Sequence, residues 1–281
     1  MHLPRSDGWL LKREIRGTTD HDAMGPYPRF FCHDWSALAA DLTDLARDAV
    51  SVVLVTEPFA SARHVDLERA FDSAIQFKDH FVAELDQPPE AFVTASHRAR
   101  ARRALRAVRV DLYEQPVQRL DDWVRLYATL VERHSITGLR AFSRDAFARQ
   151  LSVPGLVMFR AMAGDEVVGL DLWYEQGDVA YGHLAAFSET GYRLAASYAT
   201  KWTMLHHFTG RVRWVDLGGT AGGGERGNDG LAAFKRGWST GKRPAYLCRR
   251  ILQPGRYAAL SSSRIGHATS YFPAYRDGEF L

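Results

Sequence analysis

The densest chemistry in this sequence lies between Arg211 and Trp238. A β-branched and aromatic run, RVRWVDLGG, carries Asp216 near its end, and seven glycines follow between positions 218 and 230. Glycine adopts positive φ at no steric cost and lets backbone N–H groups approach a phosphate or carbonyl oxygen. Gly218 and Gly219 therefore open a segment that could cradle an anion, or serve as a lid or plain linker. Asp216, at a strand end beside that segment, could orient an amine or cap the loop backbone; the plainer reading is a turn aspartate. Asp229 precedes Gly230 and fits the cap of a following helix.

A second group lies upstream. EVVGLDLWYEQ and DVAYGHLAAF flank Gly177 and read as two strands of a hairpin. Residues two apart on a strand share a face, so Asp171 goes with Trp173, and Tyr181 with His183. His183 could act as a general base because imidazole titrates near neutral pH. Asp171, Trp173 and Tyr181 suit contacts with a substrate. A histidine on a half-buried strand is also an ordinary satisfied polar group, so both readings stand.

The third group is basic. HRARARRALRAVR, residues 97–109, contains Arg98, Arg100, Arg102, Arg103, Arg106 and Arg109 with no acid. At helical spacing Arg98, Arg102, Arg106 and Arg109 line one side, which suits a polyphosphate partner or a solvated face paired with acids from elsewhere. Nothing aromatic is interleaved there, so base stacking is not indicated. His206 and His207 have no third ligand at useful spacing, so no metal is expected.

The elements that must position these residues follow from periodicity. In the first half, a helix is expected from about Trp35 to Arg47, a strand over 51–55 (SVVLV), a short helix over 65–72 and a strand over 74–85. The basic helix begins near Ser96 and runs through SHRARARRALRAV into a strand, RVDLYE. EQPVQRLD, near 114–121, reads as a boundary. Beyond it come a helix from Leu120, a helix over 143–151 with Ser143 as its cap, three meandering strands, a helix from Tyr192 to Phe208, and a strand over 211–219. A helix or turn over 231–238 and a last strand over 245–252 complete the order. The resulting class is α/β (α+β), with mixed sheets flanked by helices. Two domains are expected, 1–115 and 116–281.

Bulk properties exclude several classes. In 281 residues, 46% are hydrophobic, 25% are charged, and the net charge is +3. These are ordinary globular values, too weakly basic to diagnose a nucleic-acid binder without a local cluster. Cys32 and Cys248 form neither a disulfide framework nor a metal pattern. No run approaches the ~18 apolar residues of a spanning helix, and the N-terminus lacks the apolar core of a signal peptide. A cytoplasmic, soluble protein is expected.

Three segments carry a family resemblance: HRARARRALRAVRV (97–110), EVVGLDLWYEQGDVAYGHLAAFSETGYRLAASYATKW (166–202) and WVDLGGTAGGGERGNDGLAAFKRGW (214–238). Together they resemble Fem-type transferases of the GNAT superfamily. The third is the most specific, with its strand, glycine loop and GL-x-x-FK-x-G-aromatic ending. The resemblance implies paired GNAT-like domains, the first a degenerate copy, and amide-bond formation with an aminoacyl group taken from aminoacyl-tRNA. The acceptor would be an amine of a small molecule or peptide, as in relatives from natural-product pathways. It also implies that Lys235, the lysine of FK, lies beside the donor, with Phe234 next to it. A cation there would stabilise the oxyanion of the tetrahedral intermediate or hold a phosphate.

GNAT N-acetyltransferases carry a (Q/R)-x-x-G-x-(G/A) pyrophosphate loop after their fourth strand. The equivalent stretch here, AAFSETGYRLAASYATKW, holds only Gly191 and Arg193 and lacks that motif. Aminoacyl-tRNA is therefore the expected donor, with no tightly bound cofactor. An acyl-CoA-dependent N-acyltransferase and a non-catalytic GNAT-fold binding module are the alternatives.

Overall fold

The computed structural model describes residues 1–60, 64–136, 142–220, 229–264 and 269–279. In chain order the first elements are β1 (His2–Leu3), β2 (Gly8–Trp9), β3 (Leu11–Glu14), β4 (His21–Met24), α1 (Leu38–Leu45), β5 (Ser51–Val55), α2 (His64–Ala70) and β6 (Ser73–Glu84). Next come α3 (Pro89–Phe92), α4 (Ala95–Ala104), β7 (Arg109–Tyr113), α5 (Leu120–His134), α6 (Arg144–Leu151), β8 (Leu156–Ala163), β9 (Glu166–Gln176) and β10 (Val179–Phe187). The last are α7 (Glu189–Arg193), α8 (Ala196–Phe208), β11 (Trp214–Asp216), α9 (Asp229–Arg236), β12 (Gly241–Ile251) and α10 (Pro254–Arg264).

Contacts group the chain into two compact units, one of residues 1–79 with 243–281 and one of residues 80–242. In the first unit β3 pairs antiparallel with β4, β4 parallel with β5, and β5 antiparallel with β12. Leu38, Leu42 and Leu45 of α1 point into its core with Val52, Leu54 and Cys248. That spacing puts one apolar stripe on a short helix. The reading of two GNAT-like copies, 1–115 and 116–281, stands as a proposal.

The second unit holds the sequence groups singled out above. From the His80–Glu84 half of β6, its strands run in the order β6-β11-β10-β9-β8-β7. All neighbours are antiparallel except β10 and β11, which are parallel. One face packs on Trp123, Leu126 and Phe147 of α5 and α6. The other packs on Met204, Leu205 and Phe208 of α8, joined by Trp238. Alternation along β9 follows: Leu170 and Leu172 meet the first helix layer, Trp173 the second.

Several expected elements need correction. Ser143 caps α6 as expected, accepting from the Ala146 N–H. The helix expected from Tyr192 to Phe208 is two helices, because Ala195 takes a left-handed φ of 55° between them. The basic helix ends at Ala104, not beyond, so Arg106 lies in the following turn and Arg109 opens β7. Arg98 and Arg102 alone of the four share that helix. Residues 1–30 hold four short strands and 254–264 a helix, none of which periodicity revealed.

Candidate functional site

The site is built where β10 and β11 part. Their parallel pairing runs Val179↔Trp214, Ala180↔Val215, Tyr181↔Asp216, while β10 continues to Phe187. On its other side β10 stays paired with β9, but its register shifts between Gly182 and Ala185, opposite Trp173 and Asp171. Three steps on one strand against two on the other is a β-bulge, which bends the strand and commonly marks a functional edge.

Asp216 ends β11 at this point and is fully buried. A buried carboxylate needs donors, and the following turn and β6 supply them. The Gly218 N–H donates to Oδ1 at 2.7 Å. His80 of β6 places Nδ1 3.0 Å from both carboxylate oxygens. Asp216 pairs with Val82 across the antiparallel β6–β11 ladder, so His80, two residues before Val82, lies on the same face.

Lys235, near the end of α9, reaches the same turn. Its Nζ donates to the Gly219 carbonyl at 2.5 Å. Gly218 has a φ of 77°, and a Cβ built there would lie 3.2 Å from Lys235 Nζ. The positive φ favours glycine at that position, and a side chain there would push the lysine tip aside. Four residues expected from the sequence (Asp216, Gly218, Gly219 and Lys235) thus converge, and His80 joins them.

α9 is itself anchored. His97 of α4 donates from Nε2 to the carbonyl of Phe234, the residue before Lys235, at 3.0 Å, while the Thr94 N–H donates to the Gly237 carbonyl at 3.1 Å. The imidazole packs among Tyr198, Phe234 and Trp238. A Cβ on Gly237 would enter its ring at 2.2 Å. Phe234 is therefore part of the packing that seats Lys235.

The remaining expected residues fall elsewhere. Asp171, 2% exposed, is bound through both oxygens by Lys201 of α8 at 2.6 and 2.8 Å. Trp173 is fully enclosed on the same face, with Lys201 Nζ 4.7 Å from its ring centroid. His183 is on the opposite side of the sheet, where Nε2 meets Gln150 Oε1 of α6 at 2.9 Å and the ring packs edge-on against Tyr174. Tyr181 is buried directly across from Tyr174. The two pairs from the hairpin thus face opposite ways. Residues 221–228 of the glycine-rich segment lie outside the described residues, as does the side chain of Asp229.

The arginines divide between packing and exposure. Arg98 donates to the carbonyls of Glu90 and Val93, closing the end of α3. Arg100 donates to the Tyr198 hydroxyl and lies over its ring. Arg102, Arg103 and Arg106 are exposed, and no carboxylate pairs with them among the described residues. Arg109 is exposed beside Asp111 at 3.3 Å. Among the described residues no cluster of His, Cys, Asp and Glu could hold a metal, and no helix is long and apolar enough to cross a membrane.

Residues 93–236 match the family model described as acetyltransferase (GNAT) domain, which is half of the chain. The chain belongs to the acetyltransferase (GNAT) domain family. The fold of this GNAT protein is that of FemX, whose crystal structure superposes with a TM-score of 0.68 at 14% identity, covering 89% of this chain and 85% of that one. The C-terminal domain of a protein described as a lysylphosphatidylglycerol synthetase from Agrobacterium fabrum gives 0.63 at 16% identity, covering 92% and 87%. L-PGS from Bacillus licheniformis gives 0.60 at 14%, covering 87% and 81%. No curated protein sequence matches the GNAT chain.

Proposed function

We propose that this GNAT-family protein forms amide bonds by moving an aminoacyl group from aminoacyl-tRNA to an amine of a small-molecule or peptide acceptor. The observation that carries the reading is the convergence of Lys235, Gly218, Gly219, Asp216 and His80 at the parting of β10 and β11. Acyl transfer develops negative charge on a carbonyl oxygen, and a fixed ammonium beside it stabilises that charge. Lys235 supplies the ammonium on an anchored helix.

The donor reading has two supports. Arg102, Arg103 and Arg106, exposed and with no carboxylate partner among the described residues, offer a cation surface of the kind that binds nucleic-acid phosphates. In the segment where a coenzyme A pyrophosphate would need backbone N–H groups, one such group is already taken. Ser188 Oγ accepts the Gly191 N–H at 3.2 Å, and a Cβ on Gly191 would meet the Val168 carbonyl at 2.1 Å. That glycine serves close packing of α7 on β9.

The test is binding and turnover of purified protein with two donors, a pool of charged tRNA and acetyl-CoA, at low and moderate salt. Saturable, salt-sensitive binding of charged tRNA and loss of its aminoacyl group to added primary amines are the expected results. Turnover of acetyl-CoA alone would replace the donor with an acyl-CoA. Binding of either donor without turnover would make the protein a GNAT-fold binding module.

A further inference from the structure

We propose that His80 is the proton acceptor of the transfer reaction and that Asp216 fixes the tautomer in which it works, an inference that rests on the acyltransferase reading. A carboxylate only accepts hydrogen bonds, so a neutral imidazole held through Nδ1 carries its proton there. Nε2 is then the nitrogen with the lone pair. The side chain of Asp216 is 0% exposed, whereas that of His80 keeps 7%. The pair thus has an enclosed anchoring member and a member at the margin of the core.

Its neighbours supply the rest of the chemistry. The same carboxylate holds the Gly218 N–H, and Gly218 and Gly219 are the residues against which Lys235 Nζ rests. A base and an oxyanion stabiliser are therefore joined through one short turn, Asp216 to Gly219. His183 instead meets an amide oxygen, Gln150 Oε1, through its Nε2 at 2.9 Å. An orienting carboxylate behind a basic imidazole is the arrangement that general-base catalysis uses in unrelated folds.

The step balances without a further reactant. The neutral acceptor amine attacks the ester carbonyl carbon of the donor, forming the N–C bond, and its proton passes to His80 Nε2. The resulting oxyanion is stabilised by the Lys235 ammonium. Collapse re-forms the carbonyl and breaks the C–O bond to the donor, and the proton on Nε2 passes to the departing oxygen. The products are an amide and an alcohol, with His80 neutral again.

The test compares wild type, His80→Gln and His80→Ala with charged tRNA carrying radiolabelled amino acids and a mixture of amino acids and dipeptides as acceptors. Glutamine keeps an N–H for Asp216 and removes the titratable nitrogen. His80→Gln should lower kcat about 100-fold with the donor KM changed less than about twofold, the range expected for loss of a general base. Added imidazoles should restore His80→Ala, faster for more basic imidazoles. That dependence separates proton transfer from filling of a cavity and is readable in whatever fraction of the variant folds. A His80→Gln kcat near wild type, or rescue independent of imidazole basicity, overturns the role of His80 while leaving the acyltransferase reading in place. Wild type that turns over neither charged tRNA nor acetyl-CoA overturns that reading first, and this inference with it.

Discussion

At the residue scale, Lys235 and Asp216 show how far composition alone leads. Each lies in a sequence context that suggests chemistry, and the fold brings them to one turn. His80 and Lys201 were invisible because their partners are 136 and 30 residues away and no local motif marks them. Within IQFKDHFVAE, His80 is one polar residue on a strand; only the β6–β11 register gives it a carboxylate. Removing the ammonium of Lys235 should leave the fold intact, because it bonds a loop carbonyl, that of Gly219, and α9 is seated by other contacts, those of Phe234 and Gly237 with α4. Lys235→Ala is expected to lower kcat by about 100- to 1,000-fold, the size of one lost oxyanion donor, with an unchanged circular dichroism melt. A turnover rate near wild type would remove Lys235 from the chemistry.

At the element scale, periodicity located most helices and strands of the second unit, and β5 runs over Ser51–Val55 as expected. It failed where a single backbone conformation decides, as at Ala195, whose left-handed φ divides α7 from α8. Close packing of elements was equally hidden. Gly191→Ala would drive a methyl group into the Val168 carbonyl, and backbone atoms yield little. A loss of about 1–3 kcal/mol is expected, read as a lower urea midpoint at constant m-value. The α4–α9 junction has a pH signature. Burial lowers the pKa of His97 below its ordinary 6.5 and Arg100 adds to this, against the Phe234 carbonyl, which raises it. The unfolded chain then takes up a proton at higher pH than the folded one. Stability should be full above 6.5 and fall as the pH drops below it toward the depressed folded value. His207, lowered chiefly by burial and also by Arg211, acts in the same direction. His97→Gln should therefore reduce the acid slope in denaturation from pH 7 to 5 without abolishing it; an unchanged slope would show that His97 does not contribute.

At the scale of the whole molecule, net charge says little and its distribution says more. A balance of +3 over 281 residues conceals a stretch whose exposed Arg102, Arg103 and Arg106 have no carboxylate partners among the described residues. Arg102→Ala with Arg106→Ala should weaken binding of charged and uncharged tRNA alike and lower the logarithmic salt slope by about 2, near one counterion per lost phosphate contact. An unchanged slope would place the nucleic acid elsewhere. Contacts also group residues 1–79 with 243–281, a closure between distant stretches of chain.

By itself the sequence determined the class of the protein and most of the order of strands and helices across residues 95–250, and it singled out four of the five residues that meet at the candidate site. Those features are written in short-range quantities: the period of apolar residues, the glycines a turn requires, and a motif within one stretch of chain. The tertiary structure alone decided which polar residues work together. It joined His80 to Asp216, bound Asp171 to Lys201, enclosed Trp173, and turned His183 toward Gln150 on the other side of the sheet. The physical reason is that strand alternation says only which residues share a face. Register and helix placement say what that face meets, and both are settled by packing between residues far apart in the chain.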